Sequence, residues 1–165
     1  MKYFRSSGFT LIEVVVSLMI LSIGVLGVTA MQVRALQANR GALLRVEANQ
    51  LASDLTDRID VNSGVSYGPL ALDEDPGTAV DCSLNDCNPD QMAAFDITQW
   101  RCSINSADAD GLPLTECATL GISGTLPLGK ASIALDSGEY NIRVEWQSAG
   151  TDRSSSIELV VKEDS

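Results

Sequence analysis

The most unusual chemical group in the sequence is one carboxylate, Glu13, inside an apolar run of 23 residues from Phe9 to Met31. A charged side chain at membrane depth costs several kcal/mol unless it is protonated or paired with a cation. Acidic residues in such positions are therefore expected to have a function. The sequence predicts that Glu13 pairs with a positive charge during the life of the protein.

The four cysteines form the second chemically distinctive group. Their x4 and x14 spacings lack the C-x2-C knuckles that are usual in zinc sites, and a region expected outside the cytoplasm favours oxidation. Three pairings are open, and the one between sequence neighbours is favoured because each bridge closes a local loop. A four-thiolate zinc site is the alternative, and we expect no metal or cofactor. The favoured bridges are Cys82–Cys87 and Cys102–Cys117.

Residues 106–111 resemble the opening of a calcium-binding loop. The first ligand position is Ser106, however, and the acidic residue Glu116 falls one position short of the twelfth. We expect a solvated turn there.

Enzymatic chemistry has little support in this composition. The chain has no histidine, which excludes histidine-based triads, histidine–cysteine dyads and most zinc hydrolase sites. No glycine-rich phosphate loop follows a strand, and the carboxylates lie mainly in loops. We expect no catalytic residues, although a membrane-anchored exported enzyme is an alternative that the anchor alone would support.

A long helix must position Glu13. The pattern is helical from Phe9 to Asn62, about 80 Å if unbroken, and no proline occurs before Pro69. Residues 9–31 can cross a bilayer, and the basic residues Lys2 and Arg5 before them place the N-terminus in the cytoplasm by the positive-inside rule. No small-residue cleavage site follows closely, so the anchor is retained.

Residues 32–62 form the amphipathic half of this helix. Arg58 and the other polar residues occupy the outer faces, and the apolar stripe is expected to pack on the chain's own C-terminal domain. The stripe contains Leu44, Ala48, Leu51, Leu55 and Ile59.

Residues 63–165 are expected to form a small acidic domain. They contain 17 acidic and five basic residues, a balance that argues against direct nucleic-acid binding. After a turn-rich region, Asn88 and Pro89 predict the start of a short helix that runs to about Ile104. Alternating apolar residues then predict three antiparallel strands around Ile133, Val144 and Leu159.

The heptapeptide Gly8-Phe9-Thr10-Leu11-Ile12-Glu13-Val14 resembles the cleavage signal of type IV prepilins and type II secretion pseudopilins. The resemblance implies that residues 1–8 are a leader peptide and that a prepilin peptidase cuts between Gly8 and Phe9. It also implies N-methylation of Phe9 and pairing of the new amine with Glu13 of a neighbouring subunit. The implied fold is the α+β pilin fold, a helical spine packed on an antiparallel sheet with a disulfide-stapled loop region.

Several further segments are similar to PilV-type minor pilins. This resemblance implies a minor pilin that acts in initiation of pilus assembly, in a tip complex with other minor pilins, the major pilin and a large adhesin, with roles in adhesion and twitching motility. The implied location is the bacterial inner membrane, with a periplasmic head, and then the pilus. A minor pseudopilin of type II secretion and a membrane-anchored binding module are the alternatives. The segments are residues 21–27, Met31-Gln32, 34–36, 51–55, 57–59 and Asn62.

Overall fold

A computed structural model describes residues 8–108, 110–148 and 154–162 of the chain. It has the expected α+β architecture, with a long N-terminal helix, two shorter helices and one antiparallel sheet. The elements are α1 (Leu11–Val61), α2 (Pro89–Ile104), α3 (Thr115–Leu120), β1 (Lys130–Asp136), β2 (Glu139–Gln147) and β3 (Ser154–Lys162).

Contacts divide the chain into two compact units, with the boundary between Asn39 and Arg40. The first 39 residues form one unit, and the remainder, including the last 22 residues of α1, forms the other. We call the second unit the head. The amphipathic part of the long helix from Arg40 onward is therefore an element of the head.

Helix α2 begins where the sequence predicts, because a reciprocal capping box fixes its first turn. The Asn88 side chain accepts a hydrogen bond from the Gln91 amide at 2.8 Å, and the Gln91 side chain accepts one from the Asn88 amide at 3.0 Å. Pro89 occupies the first turn, where its missing N–H costs nothing.

The sheet is a meander in the order β1-β2-β3. The two-residue turn Ser137-Gly138, with φ of 54° and 79°, joins β1 to β2 and matches the turn type favoured in tight hairpins. On the far side of β1, the amide and carbonyl of Ile133 each bond to Leu70, both at 2.9 Å. This bridge covers part of that edge of the sheet.

One apolar cluster joins the head's part of α1, α2 and the inner face of the sheet, as the alternation of the strands predicts. The α1 stripe contributes Leu55, Ala48 and Ile59 as buried residues, with Leu44 and Leu51 partly buried. The remaining buried members are Ala52, Tyr67, Leu70, Ala93, Trp100, Ile104, Leu126, Ala131, Ile133, Tyr140, Ile142, Val144 and Trp146.

The segment between α3 and β1 passes close to the end of α2. The Thr125 amide bonds to the Ser103 carbonyl at 3.0 Å, and the Leu126 amide bonds to the Ile104 carbonyl at 3.1 Å. A Cβ at Gly124 would lie 2.3 Å from Asn105 Cα, far inside van der Waals contact. Only glycine fits this crossing.

Candidate processing and assembly segment

The Gly8–Phe9 peptide bond lies before the start of the long helix. Helix α1 begins at Leu11, and its first turn is closed by the Thr10 carbonyl, which accepts from the Glu13 amide at 3.1 Å. Gly8 and Phe9 are exposed, and Phe9 keeps 78% of its surface accessible. The bond that the resemblance marks for cleavage is thus outside helical hydrogen bonding, and Gly8 presents no side chain next to it. Lys2 and Arg5 lie outside the described residues.

Glu13 occupies the first turn of α1 and is exposed. The positive end of the helix dipole favours a carboxylate there. None of the ion pairs among the described residues includes Glu13. The structure therefore places this acid four residues after Phe9 without supplying it with a cation from the described parts of the same chain.

The rest of the first unit presents an apolar surface. Between Leu11 and Leu36 the aliphatic side chains are largely exposed, with Leu11 at 84% and Met31 at 74%. Of the helices in the described residues, α1 alone is long and apolar enough to cross a membrane, with a mean hydropathy of 2.5 over its most apolar window. An apolar surface of this extent is stable only against lipid or against other helices.

The hydroxyl groups in this apolar half have partners within the helix. Ser17 donates to the Glu13 carbonyl at 2.7 Å, Ser22 to the Leu18 carbonyl at 2.7 Å, and Thr29 to the Val25 carbonyl at 2.9 Å. Each bond satisfies a polar group that would be costly to leave unpaired in lipid. Glu13 is consequently the one ionisable group of residues 11–31 that still needs a partner from elsewhere.

Small residues interrupt this surface at Gly24 and Gly27. Apart from the surrounding turns of α1, no described residue has an atom within 4 Å of where a Cβ would stand at either position. The two glycines therefore do not pack against the other described elements, and their smallness suits close approach by another helix.

In the head, a charged network joins the last turn of α1 to α2. Arg58 Nη1 donates to Asp96 Oδ1 at 2.7 Å and to Gln99 Oε1 at 2.6 Å, and Arg58 Nε bonds Asp54 at 2.9 Å. Tyr67 donates its hydroxyl proton to the second oxygen of Asp96 at 2.8 Å. The sequence places Arg58 on an outer, polar face of α1, and the structure shows instead that this face contacts α2.

The network shifts the pKa values of two of its members. Burial alone would lower the pKa of Arg58, but the hydrogen bond and charge of Asp96 and the charge of Asp54 outweigh it, and the pKa is raised. Burial is the main cause that raises the pKa of Tyr67 to about 12, with Asp96 adding to the shift and a hydrogen bond from Asn62 opposing it. Both groups therefore keep their protons under all ordinary conditions.

Arg101 on α2 is a second buried charge that sequence reasoning missed. It is 4% exposed, donates from Nη1 to the Asn105 carbonyl at 2.8 Å, and has no hydrogen-bond partner at Nε. Burial lowers its pKa, against the opposing charges of Asp75 and Asp73. A local pattern could not reveal this, since Arg101 lies between the buried residues Trp100 and Cys102 on a helix that also has exposed positions.

The cysteines form the two sequence-neighbour bridges. Cys82 pairs with Cys87, and Cys102 pairs with Cys117, with Cα–Cα distances of 5.6 and 5.3 Å. The second bridge is buried with Leu114 and ties α2 to α3. Since all four thiols are in disulfides, they cannot form the alternative zinc site.

Elsewhere in the described residues no group of three or more acidic, cysteine or histidine side chains is placed to hold a metal ion. In the stretch that resembles a calcium loop, Asp108 accepts from the amides of Asp110 at 2.9 Å and Leu112 at 2.8 Å. This carboxylate closes a turn. Ala109 lies outside the described residues.

Comparison with known proteins identifies two segments that adjoin. Residues 3–29 match the family model of the prokaryotic N-terminal methylation motif, and residues 30–98 match that of the type IV pilin Tt1218. Together these matches cover more than half of the chain. Residues 3–98 thus resemble a type IV pilin with its N-terminal methylation motif.

No curated protein and no solved structure gives a significant match to this chain. The methylation motif contains Gly8, Phe9 and Glu13. A pilin with this motif is a substrate of prepilin peptidase and assembles with other pilins, and its apolar first helix fits anchoring in the inner membrane before assembly.

Proposed function

We propose that this pilin is a minor, PilV-type subunit of a type IV pilus that helps to start assembly as part of a tip complex. It is anchored through residues 9–31 with the N-terminus in the cytoplasm and the head in the periplasm. Cleavage between Gly8 and Phe9 creates an amine, which is methylated on Phe9, and the subunit then enters the filament.

The observation that carries the proposal is the state of Glu13 in the first unit. Every other polar side chain in the apolar half of α1 bonds within the helix, whereas Glu13 has no ion pair among the described residues. The cleaved Phe9 amine is the cation created at the same end of the helix. Because its surroundings are apolar, an amine from a neighbouring subunit is held strongly in register by this carboxylate.

The partners follow from the same surfaces. The exposed apolar half of α1 and its two glycines suit the helices of other minor pilins and of the major pilin. The acidic head remains available to a large tip adhesin. Its charge gives no support to direct contact with nucleic acid.

Processing is tested by purifying the full chain from membranes of a cell with active prepilin peptidase and measuring its intact mass. We expect loss of residues 1–8 and a gain of one methyl group. Gly8→Val should block the cut, because a branched side chain crowds the peptide bond, while Ser7→Val serves as a control one position upstream. An intact leader on the unsubstituted chain would overturn the proposal.

The filament role is tested by deleting the gene and restoring it. We expect fewer pili and loss of twitching motility, and recovery of the chain with other minor pilins in sheared filaments at low copy. Loss of protein secretion with normal pili would instead identify a pseudopilin of type II secretion. A normal phenotype in both assays would point to a binding module.

A further inference from the structure

The strand register shows which residues at the β3 edge of the sheet direct their backbone N–H and C=O groups away from the sheet. Ile133 bonds to Leu70 on the far side of β1, so its neighbours Ser132 and Ala134 bond toward β2. In β2 the backbone N–H and C=O groups of Asn141 and Arg143 therefore bond to β1, and those of Ile142 and Val144 bond to β3.

The same alternation continues to β3. Ile142 pairs with Leu159 and Val144 pairs with Ile157, so these β3 residues use their amides and carbonyls on β2. The alternate residues direct theirs outward, and within the described residues β3 pairs with β2 alone. The outward-bonding residues are Ser154, Ser156, Glu158, Val160 and Lys162.

The side chains of this outward set are also exposed, and Val160 is 59% exposed. On the opposite face, Ile157, Leu159 and Val161 pack on the core but are only partly buried, whereas the β2 residues beside them are buried. The edge thus leaves both hydrogen-bonding groups and apolar surface uncovered, which is the condition for pairing with another strand.

We propose that β3 pairs antiparallel with β3 of a second copy of this chain, about a two-fold axis at Val160. In this register Glu158 lies opposite Lys162 of the other copy, twice, and Val160 faces Val160. All the outward-bonding residues of the overlap then face one another, as an antiparallel ladder requires. A shift of the axis to Glu158 would place like charges opposite each other, which destabilises a sheet.

The charges of β2 extend this complementarity. Arg143 lies opposite Glu158 within the chain, and Glu139 lies opposite Lys162. Pairing of two copies therefore produces a row of alternating sign across four strands: Arg143, Glu158, then Lys162 and Glu139 of the second copy. The segment Glu158-x-Val160-x-Lys162 is complementary in charge to a second copy of itself in this antiparallel register. For this reason we choose a second copy of the chain as the occupant of the edge.

The pairing is expected to be weak. The overlap covers five residues of each strand, well below the area of a stable interface, and the net charge of the acidic heads opposes it. Anchoring in a membrane raises the local concentration and offsets both. A two-fold contact closes at two subunits, so this pair is a state of the anchored subunit that goes beyond the filament role proposed above.

Cysteine cross-linking of the full chain in membranes tests the register. At a hydrogen-bonded antiparallel pair the Cα atoms are about 5.5 Å apart, within the range for a disulfide. Val160→Cys should give a cross-linked dimer on mild oxidation. Ser156→Cys is the matched control, since its two copies are about 27 Å apart in this register. Equal cross-linking of both variants, dimer from neither, or cross-linking of Val160→Cys to a different protein would overturn the proposal.

Charge reversal tests the pairing independently. In the Val160→Cys background at physiological ionic strength, Glu158→Lys alone or Lys162→Glu alone should lower dimer yield about tenfold. Mixing the two single variants in one membrane should restore the yield, because each then supplies the charge that the other lacks. If the mixture stays as low as the single variants, the proposed register is wrong.

Discussion

The charged side chains at the two ends of α1 differ in whether they have a partner among the described residues of the chain. Near the C-terminal end, Arg58 contacts Asp54, Asp96 and Gln99 and is half-buried in a network that closes within the chain. In the first turn, Glu13 is exposed and has no cation among the described residues. The apolar side chains differ in the same way, since Leu55 is fully buried while Leu11 is 84% exposed.

This difference separates residues that stabilise the folded head from residues that are expected to contact other subunits. A closed network contributes to the stability of the head whether or not a filament forms. An open carboxylate on an apolar helix forms no ion pair with the described residues of its own subunit, but it decides which partner can be accommodated in a dry environment. Substitutions at the two ends should therefore fail in different assays.

The largest effect is expected for Glu13→Ala. The chain should still be cleaved and its head should keep its stability, but incorporation into sheared filaments should fall more than about tenfold, because a neighbouring amine would be left buried and unpaired. Quantitative immunoblotting of membrane and filament fractions measures this. Ser17→Ala, one turn later on the same helix, is the control and should assemble normally.

Gly124→Ala should cause the largest loss of head stability, about 3 kcal/mol, because the added methyl group meets the backbone of Asn105. Chemical denaturation of the full chain in detergent gives the free energy of unfolding. Gly41→Ala on α1 has open space around it and should stabilise the helix by about 0.5–1 kcal/mol. Similar midpoints for these two variants would contradict the close crossing at Gly124.

Asp96→Ala should destabilise the head by about 2 kcal/mol, because it removes an acceptor from both Arg58 and Tyr67. Asp54→Ala removes a more exposed partner of the same arginine and should cost less than about 0.5 kcal/mol. Filament incorporation of the surviving folded protein should be unchanged in both variants. If Asp54→Ala proves as costly as Asp96→Ala, the contact between α1 and α2 is less important than the structure indicates.

The last prediction has no effect near neutral pH and concerns the stability of the head under alkaline conditions. The pKa of Tyr67 rises from 10.0 to about 12 in the folded chain. Above pH 10.0 the unfolded chain therefore loses this proton first, and stability should fall by up to about 1.4 kcal/mol per pH unit until about pH 12. Tyr67→Phe should show a shallower decline over this range. Denaturation midpoints at several pH values decide the matter, and parallel curves would count against the shift.

Most of the fold could be predicted because its signals are local. Asn88 and Pro89 mark the start of α2 through a capping box, and strict alternation marks all three strands. The sequence does not predict helix α3. It has six residues, and its N-cap, Leu114, makes no side-chain capping bond, so the usual signal for a helix start is missing.

The residues discussed for the candidate site also differ in whether the sequence alone reveals them. Glu13 stands out because an acid breaks an otherwise apolar run, a contrast visible in the sequence alone. The Arg58 network could not be predicted, because Arg58 and Asp96 are 38 positions apart and each resembles an ordinary solvated charge. The proposed roles of Gly8, Phe9 and Glu13 depend on contacts with other molecules and stay predictions.

The indole N–H of Trp100 donates to the Leu51 carbonyl of α1 at 2.8 Å, and the side chain is 1% exposed. Because of this bond, the fluorescence of Trp100 reports whether α2 is packed against α1. Any rearrangement that separates α2 from α1 would move the indole into water and shift its fluorescence to longer wavelength. With Trp146, the second tryptophan, changed to phenylalanine, the separation of α2 from α1 could be followed without a label.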